Sequence, residues 1–273
     1  MMPLPTFGEI KAQGFDIWNR KRRADMAQAA VTAVERVLDI LESFQTAARP
    51  LSLTELSEMA GIPKSSCHAI VATLVARGYL YSLVRPRSLY PTRRLNDVAQ
   101  DIADSDPFVQ RAQPVLEQLR SASGETVILG KRQGDAVIYL QVLEGPNAIR
   151  YSAQAGEFKP LFSSAIGKAL LGSMKEPALR ALLDAHALPA VTAKTLTSRK
   201  ALVADILDSR KRGYFVTRGE NVVDVWALSA FVALRNETLG VALAGPAARM
   251  KTQLAALAPL LVAACSQLAR QVR

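Results

Sequence analysis

The chain has 273 residues, 49% of them hydrophobic, which is enough for one large domain or two ordinary ones and too apolar for a disordered chain. Its formal net charge of +10 and pI near 9.9 suit a polyanionic partner, nucleic acid or a membrane surface, without choosing between them. Two cysteines far apart, Cys67 and Cys265, exclude a disulfide framework and point to a reduced cytoplasmic chain.

Residues 1–23 lack helical or strand periodicity and are expected to be a flexible extension ending in the basic cluster Arg20, Lys21, Arg22 and Arg23. They contain no continuous apolar run of the secretory kind, and translation could begin at Met1, Met2 or Met26. No stretch is expected to reach ~18 uncharged apolar residues of membrane character. Residues 254–268 come nearest, and they are short and alanine-rich.

From residue 24 the apolar positions Val31, Val34, Val37, Leu38, Leu41 and Phe44 recur at helical spacing, which predicts an amphipathic helix to about Ala47. Ser52 precedes "LTELSEMA" as an N-cap, and Glu55 completes a capping box. This short helix stops at Gly61; Pro63 opens the next, which runs to about Arg77 before the stop at Gly78. "YLYSLVRPRSLYPT" is predicted as a hairpin with Arg85 and Arg87 at its tip. Leu95, Val98, Ala99 and Ile102 predict a linker helix, which Asp104-Ser105-Asp106-Pro107 breaks.

Beyond that break, residues 108–122 are predicted as a helix. Strands follow at "ETVILGKR", "AVIYLQVLE" and "AIRYSAQA". Helices are expected over residues 165–174, 176–186 and 199–212, and strands over 214–218, 225–234 and 239–244, with Asn236-Glu237 as the last turn. A long closing helix carries Met250, Leu254, Leu257, Leu261, Ala264 and Leu268 on one face. This mixed order predicts an α+β domain on an antiparallel sheet. The expected domains are the extension 1–23, a first domain 24–94, a linker helix 95–106 and a second domain 107–273.

With Leu53 as position one, residues 53–72 have the form of a helix-turn-helix. Leu56, Ala60, Ile62, Cys67 and Ile70 face the core, and Gly61 sits at the turn. The second helix then exposes Lys64, Ser65, Ser66, His68 and Ala69 near its N-terminus. These residues are small enough to enter a major groove and polar enough to meet phosphates or base edges. Ser52 and Thr54 at the first helix and Arg85 and Arg87 at the hairpin tip complete the candidate DNA surface. A plain helical hairpin with a solvated face would explain any one of these features, but not all of them together. Charge is weaker support: residues 1–94 carry 13 Lys and Arg against 8 Asp and Glu, and the remainder is basic too.

The adjacent Cys67 and His68 invite a metal-site or redox reading. Neighbouring helix residues point ~100° apart, so the two cannot easily share a tetrahedral ion, and no second Cys/His cluster supplies further ligands. No metal or cofactor is expected. An enzyme is disfavoured as well: no G-x-S-x-G or glycine-rich phosphate loop is present, and His186 has no partner motif.

In "PLFSSAIGKALLG", Ser163 or Ser164 can cap a helix whose free N–H groups would hold a carboxylate. On residues 239–244 one strand face carries Gly240, Ala242 and Ala244, and Ala227 and Ser229 share a face of the partner strand. That small-residue face leaves room for a ligand, although on the residues alone close helix-on-sheet packing explains it better.

The stretch "AVERVLDILESFQTAARPLSLTELSEMAGIPKSSCHAIVATLVARGYL" resembles the DNA-binding domain of the IclR family of transcriptional regulators. "KPLFSSAIGKALLG", "TAKTLTS", "RKRGYFVTRGE" and "LGVALAGPAARM" resemble that family's effector domain in order and spacing. The resemblance runs from about Ala33 to the C-terminus. It implies a winged helix-turn-helix, a linker helix and a GAF-like α/β effector-binding domain, assembled as a homodimer or a dimer of dimers on double-stranded operator DNA. Carried over by position, it implies an effector site of Tyr151, Ser163, Ser164, Ala165, Ile166, Ala227, Ala242 and Ala244. Phe162 stands where the family commonly has His or Tyr, Ala227 where it often has Cys, and Thr217 where it often has Asp. The resemblance therefore implies a pocket more apolar than one for very small keto acids, suited to a larger organic acid, aromatic acids included. A DNA-binding protein without an effector, whose second domain serves only oligomerisation, stands as the alternative.

Overall fold

The computed structural model describes residues 31–84, 87–104, 107–235 and 237–271. The chain divides into two compact units that part between residues 106 and 107.

The N-terminal unit contains α1 (Thr32–Ala47), α2 (Leu53–Met59), α3 (Lys64–Ala76), the strands β1 (Leu80–Leu83) and β2 (Ser88–Pro91), and α4 (Arg94–Asp104). Its core joins Ile40 and Phe44 of α1 to Leu56 of α2, Cys67 and Val71 of α3, and Leu80 and Leu89 of the hairpin. The Ser52 capping box forms as expected: the Ser52 hydroxyl accepts from the Glu55 N–H at 3.2 Å, and the Ser52 N–H donates to Glu55 at 2.8 Å. Gly61 turns the chain at φ +65°, a conformation that favours glycine. Pro63 lies one residue earlier than expected. Its ψ of 141° is extended, so it caps α3 rather than opening the first turn. Leu51 bridges to Leu89, tying the hairpin to the start of α2.

The C-terminal unit begins with α5 (Pro107–Ser123), β3 (Thr126–Gln133), β4 (Ala136–Leu143) and β5 (Phe158–Pro160). It continues with α6 (Ala165–Gly172), α7 (Glu176–Asp184), α8 (Arg199–Arg212), β6 (Phe215–Arg218), β7 (Val225–Ala233), β8 (Thr238–Pro246) and α9 (Ala247–Gln271). The strands form one antiparallel sheet in the order β5-β4-β3-β8-β7-β6. Alternation divides each strand between two cores. On one side Leu239, Val241 and Leu243 of β8 meet Leu116 of α5 and Leu257 and Leu261 of α9. On the other side Ala242 and Ala244 face Ile166, Leu170, Leu179 and Ile206 of α6 to α8.

Two expectations need correction. "AIRYSAQA" forms no strand; β5 is the later Phe158–Pro160. The alternation there is real, with Tyr151 and Ala153 buried and Ser152 and Gln154 exposed, but no ladder forms. The Tyr151 carbonyl accepts from the Thr126 hydroxyl at 2.5 Å instead, and the pairing with β4 begins at Gly156 and Glu157. The second concerns α9, which is long and apolar enough to cross a membrane by length and mean hydropathy, 1.5 over an 18-residue window. Its apolar stripe, Met250, Leu257, Leu261, Ala264 and Leu268, is used in the core against the sheet and α5.

Candidate DNA-binding surface and ligand pocket

In the N-terminal unit, helical phase separates Cys67 from His68. Cys67 is fully buried, its Sγ 3.9 Å from the Leu53 carbonyl oxygen, and burial pushes its thiol pKa up. His68 is exposed, on the same side as Lys64, Ser65 and Ala69. Ser66 departs from this face: it is half-buried, and its hydroxyl accepts from Arg36 of α1 at 3.3 Å. Ser52 is occupied by its capping box, whereas Thr54, two residues on, is exposed. The same box, with Arg49 at 2.8 Å, pulls the Glu55 carboxyl down to about 2. Arg87 is exposed beside the hairpin, and Arg85 lies outside the described residues.

In the C-terminal unit a pocket opens between α6 and the sheet, enclosing about 400 Å³ of atom-free space, part of it open to solvent. Antiparallel register builds its floor. Ala242 of β8 pairs with Ile128 of β3, and Ala244 pairs with Ala227 of β7, so all four line the cavity. Ser164, Ala165 and Ile166 form one wall at the start of α6. Tyr139 and Tyr151 add aromatic surface. They share a side-chain hydrogen bond, and burial foremost holds the Tyr139 phenol well above its ordinary pKa, so it stays neutral. Thr217, Asn221, Val222 and Val225 close the far side.

The small residues of β8 serve both of the uses that the sequence allowed. At Gly240 the strand is covered by Ile166, so close that an added Cβ would lie 2.6 Å from its Cγ2. Two and four residues on, at Ala242 and Ala244, the same face lines open space. Ser229 does not reach the pocket; its hydroxyl donates to the Val241 carbonyl at 2.9 Å.

Ser164 is the cap of α6, its hydroxyl accepting from the Gly167 N–H at 3.2 Å. The N–H groups of Ala165 and Ile166 precede the helical ladder and carry the positive end of the helix dipole at the wall of the pocket. Ser163 departs from the expected site: it is 2% exposed, outside the lining, and its hydroxyl has no hydrogen-bond partner. One turn into α6, the buried Lys168 ammonium is held by Asp205 at 2.8 Å and by Glu220 at 2.7 Å. Burial raises the Glu220 carboxyl pKa, and the Lys168 charge opposes that shift.

Seven of the eight residues implied for the effector site therefore meet in one cavity: Tyr151, Ser164, Ala165 and Ile166 from one side, Ala227, Ala242 and Ala244 from the sheet. Sequence reading missed Ile128 and Tyr139, whose alternation on β3 and β4 was visible but whose partners were not. Thr217, named from the sequence only as standing in place of the family's Asp, also lines the cavity and pairs with Ala227. Asn221 and Val222 come from an irregular loop that carries no periodic signal. Among the described residues no group of three or more His, Cys, Asp or Glu is placed to hold a metal ion.

Comparisons with known proteins agree with this architecture. Residues 33–83 match the IclR helix-turn-helix domain, and residues 100–272 match the C-terminal domain of bacterial IclR transcriptional regulators. The HTH-type transcriptional regulator BhcR of Paracoccus denitrificans is 31% identical over 243 residues, 87% of this chain and 86% of that protein. The crystal structure of the Thermotoga maritima IclR superposes with a TM-score of 0.76, covering 88% of this chain and 98% of that one at 21% identity. An IclR homologue from Microbacterium hydrocarbonoxydans, crystallised with 4-hydroxybenzoate, superposes at a TM-score of 0.71, covering 89% and 99% at 20% identity. These two structures establish the fold: a winged helix-turn-helix, a linker helix and a GAF-like α/β domain. With both family domains matched in order across most of its length, the chain belongs to the IclR family of DNA-binding transcriptional regulators.

Proposed function

We propose that this regulator is controlled by a small organic acid, with aromatic acids the best-fitting class, bound in the pocket between α6 and the sheet. The observation that carries the reading is the pairing of an apolar floor, Ile128, Ala227, Ala242 and Ala244, with an anion-favouring helix start at Ala165 and Ile166. A carboxylate suits the free N–H groups, and a ring suits the alanines and tyrosines. A relative that crystallised with 4-hydroxybenzoate supports the same class.

On this reading the chain acts in the cytoplasm as a homodimer or a dimer of dimers. Two α3 helices meet successive major grooves of a pseudo-palindromic operator, ~34 Å apart. Lys64, Ser65, His68 and Ala69 face base edges and phosphates, Thr54 approaches the backbone, and Arg85 and Arg87 reach a flanking phosphate or the minor groove. The acid acts through its different affinity for two arrangements of the DNA-binding domains, transmitted by α4.

Isothermal titration calorimetry of the full chain tests the pocket. Micromolar-range binding of an aromatic acid, abolished in Ala244→Leu, is expected. Tight binding of two- or three-carbon keto acids with none of aromatic acids overturns the class of ligand. No response to any acid favours the alternative, in which the C-terminal unit serves only oligomerisation.

A further inference from the structure

We infer that Asn221 determines the specificity of this pocket: its side-chain carbonyl accepts a hydrogen bond from a hydroxyl on the bound acid, so that hydroxylated aromatic acids are preferred over their unsubstituted parents. The inference rests on the reading of the pocket as an acid-binding site and adds a second polar requirement to it.

The pocket's polar groups fall into two classes. Most already have protein partners. The Ser164 hydroxyl accepts from the Gly167 N–H, and the Tyr139 phenol is hydrogen-bonded to Tyr151. Asn221 is different. It lines the pocket, its Oδ1 is buried, and that oxygen has no hydrogen-bond partner. Three other buried side-chain oxygens stand in the same condition among the described residues. Gln141 and Ser163 lie outside the lining, and Glu220 Oε2 has the Lys168 ammonium at 2.7 Å. A buried acceptor without a donor is destabilising, so its retention at the cavity wall calls for a donor from outside the protein.

The loop that carries Asn221 is fixed rather than adaptable. Gly219 adopts φ +79°, and an added Cβ would lie 2.5 Å from the Val223 carbonyl oxygen. The Thr192 hydroxyl donates to the Gly219 carbonyl at 2.7 Å, and the Thr195 hydroxyl donates to the Glu220 carbonyl at 2.6 Å. The Val225 N–H closes the loop on the Val222 carbonyl at 3.1 Å. Next in the chain to Asn221, the Glu220 carboxylate is anchored by Lys168 of α6, one turn beyond the residues that favour the ligand carboxylate. One rigid frame therefore holds both the anion-favouring helix start and the unpaired acceptor. A site built in this way rejects an analogue that lacks the donor, because binding it leaves the acceptor dry.

Calorimetry with benzoate and the three monohydroxybenzoates, on the full-length wild type and on Asn221→Leu and Asn221→Ala, tests this. At least one hydroxybenzoate is expected to bind the wild type about tenfold or more tightly than benzoate. In both variants that preference is expected to fall to within about twofold while benzoate binding is kept. The readout is a ratio within each protein, and Asn221→Ala serves if Asn221→Leu does not fold. Equal binding of benzoate and hydroxybenzoates by the wild type overturns the role of Asn221 and leaves the acid reading standing. So does a preference that survives in the variants, or a loss of benzoate binding along with it. Failure of the wild type to bind any of the four acids removes benzoates from the acid reading, and this inference with them.

Discussion

The two units present their functional residues in opposite ways. In the N-terminal unit the exposed candidate positions Thr54, Lys64, Ser65, His68 and Ala69 lie within one short continuous stretch, with Arg87 at the hairpin. In the C-terminal unit the pocket draws on residues from Ile128 to Ala244, nine of the thirteen buried and the other four half-buried. A surface that reads DNA can be written along one helix, because the partner supplies the other half of the contact. A cavity must be assembled from strands whose registers have to agree before any space exists. The N-terminal surface should therefore tolerate substitution with little loss of stability, whereas residues framing the pocket should couple binding to folding.

The largest expected effect is at Lys168. Replacing it by Met leaves the Glu220 and Asp205 carboxylates facing each other without their cation. Breaking a buried ion pair in this way costs ~3–5 kcal/mol. Chemical denaturation should show that loss in the C-terminal unit, and ligand binding should weaken with it. A Lys168→Met protein with unchanged stability would mean that the frame around the pocket is softer than its geometry implies.

On the DNA side the effects should fall on affinity alone. Lys64→Ala and Arg87→Ala should each weaken binding to all sequences and lower the salt slope by about one, with the melting temperature unchanged. His68→Ala and Ser65→Ala should alter sequence preference instead, as a binding-site selection would show. A drop in stability at any of these exposed positions would erase the contrast between the units.

The smallest effect is at the capping box. Ser52→Ala should cost ~1 kcal/mol, read by thermal melting. The Glu55 carboxyl lies at about 2 in the fold against an ordinary 4.5, so its contribution is present above pH 4.5 and disappears as pH falls toward about 2. Ser52→Ala should remove only part of that acid dependence, because its largest cause is the bond from the Ser52 backbone N–H, which alanine keeps.

What could be read in advance follows the same division. The capping box at Ser52, the turn at Gly61 and the buried-versus-exposed split of Cys67 and His68 are local, set by residues three or four apart, and the fold bears them out. Helices α5, α8 and α9 were legible for the same reason. Residues 148–155 were not: alternation marks burial, but a strand also needs a neighbour, and the Thr126 side chain takes the Tyr151 carbonyl instead. The face of Gly240, Ala242 and Ala244 was legible as small. Its division into a packed end under Ile166 and an open end beside Ala227 depends on where α6 crosses the sheet. Asn221 had no signal at all, since its significance comes from a loop held by Thr192 and Thr195 from one part of the chain and Lys168 from another.

The central claim is that a ligand in the buried pocket controls the exposed surface. A mobility-shift titration on the DNA adjoining the protein's own coding sequence tests it most directly. It would use the wild type and Ala244→Leu, each with and without the tightest-binding aromatic acid. The account predicts that the acid shifts the DNA affinity of the wild type by about fivefold or more and leaves Ala244→Leu unmoved, with both proteins binding equally when no acid is present. An acid that binds the wild type but shifts neither protein's DNA affinity, or shifts both alike, would contradict it.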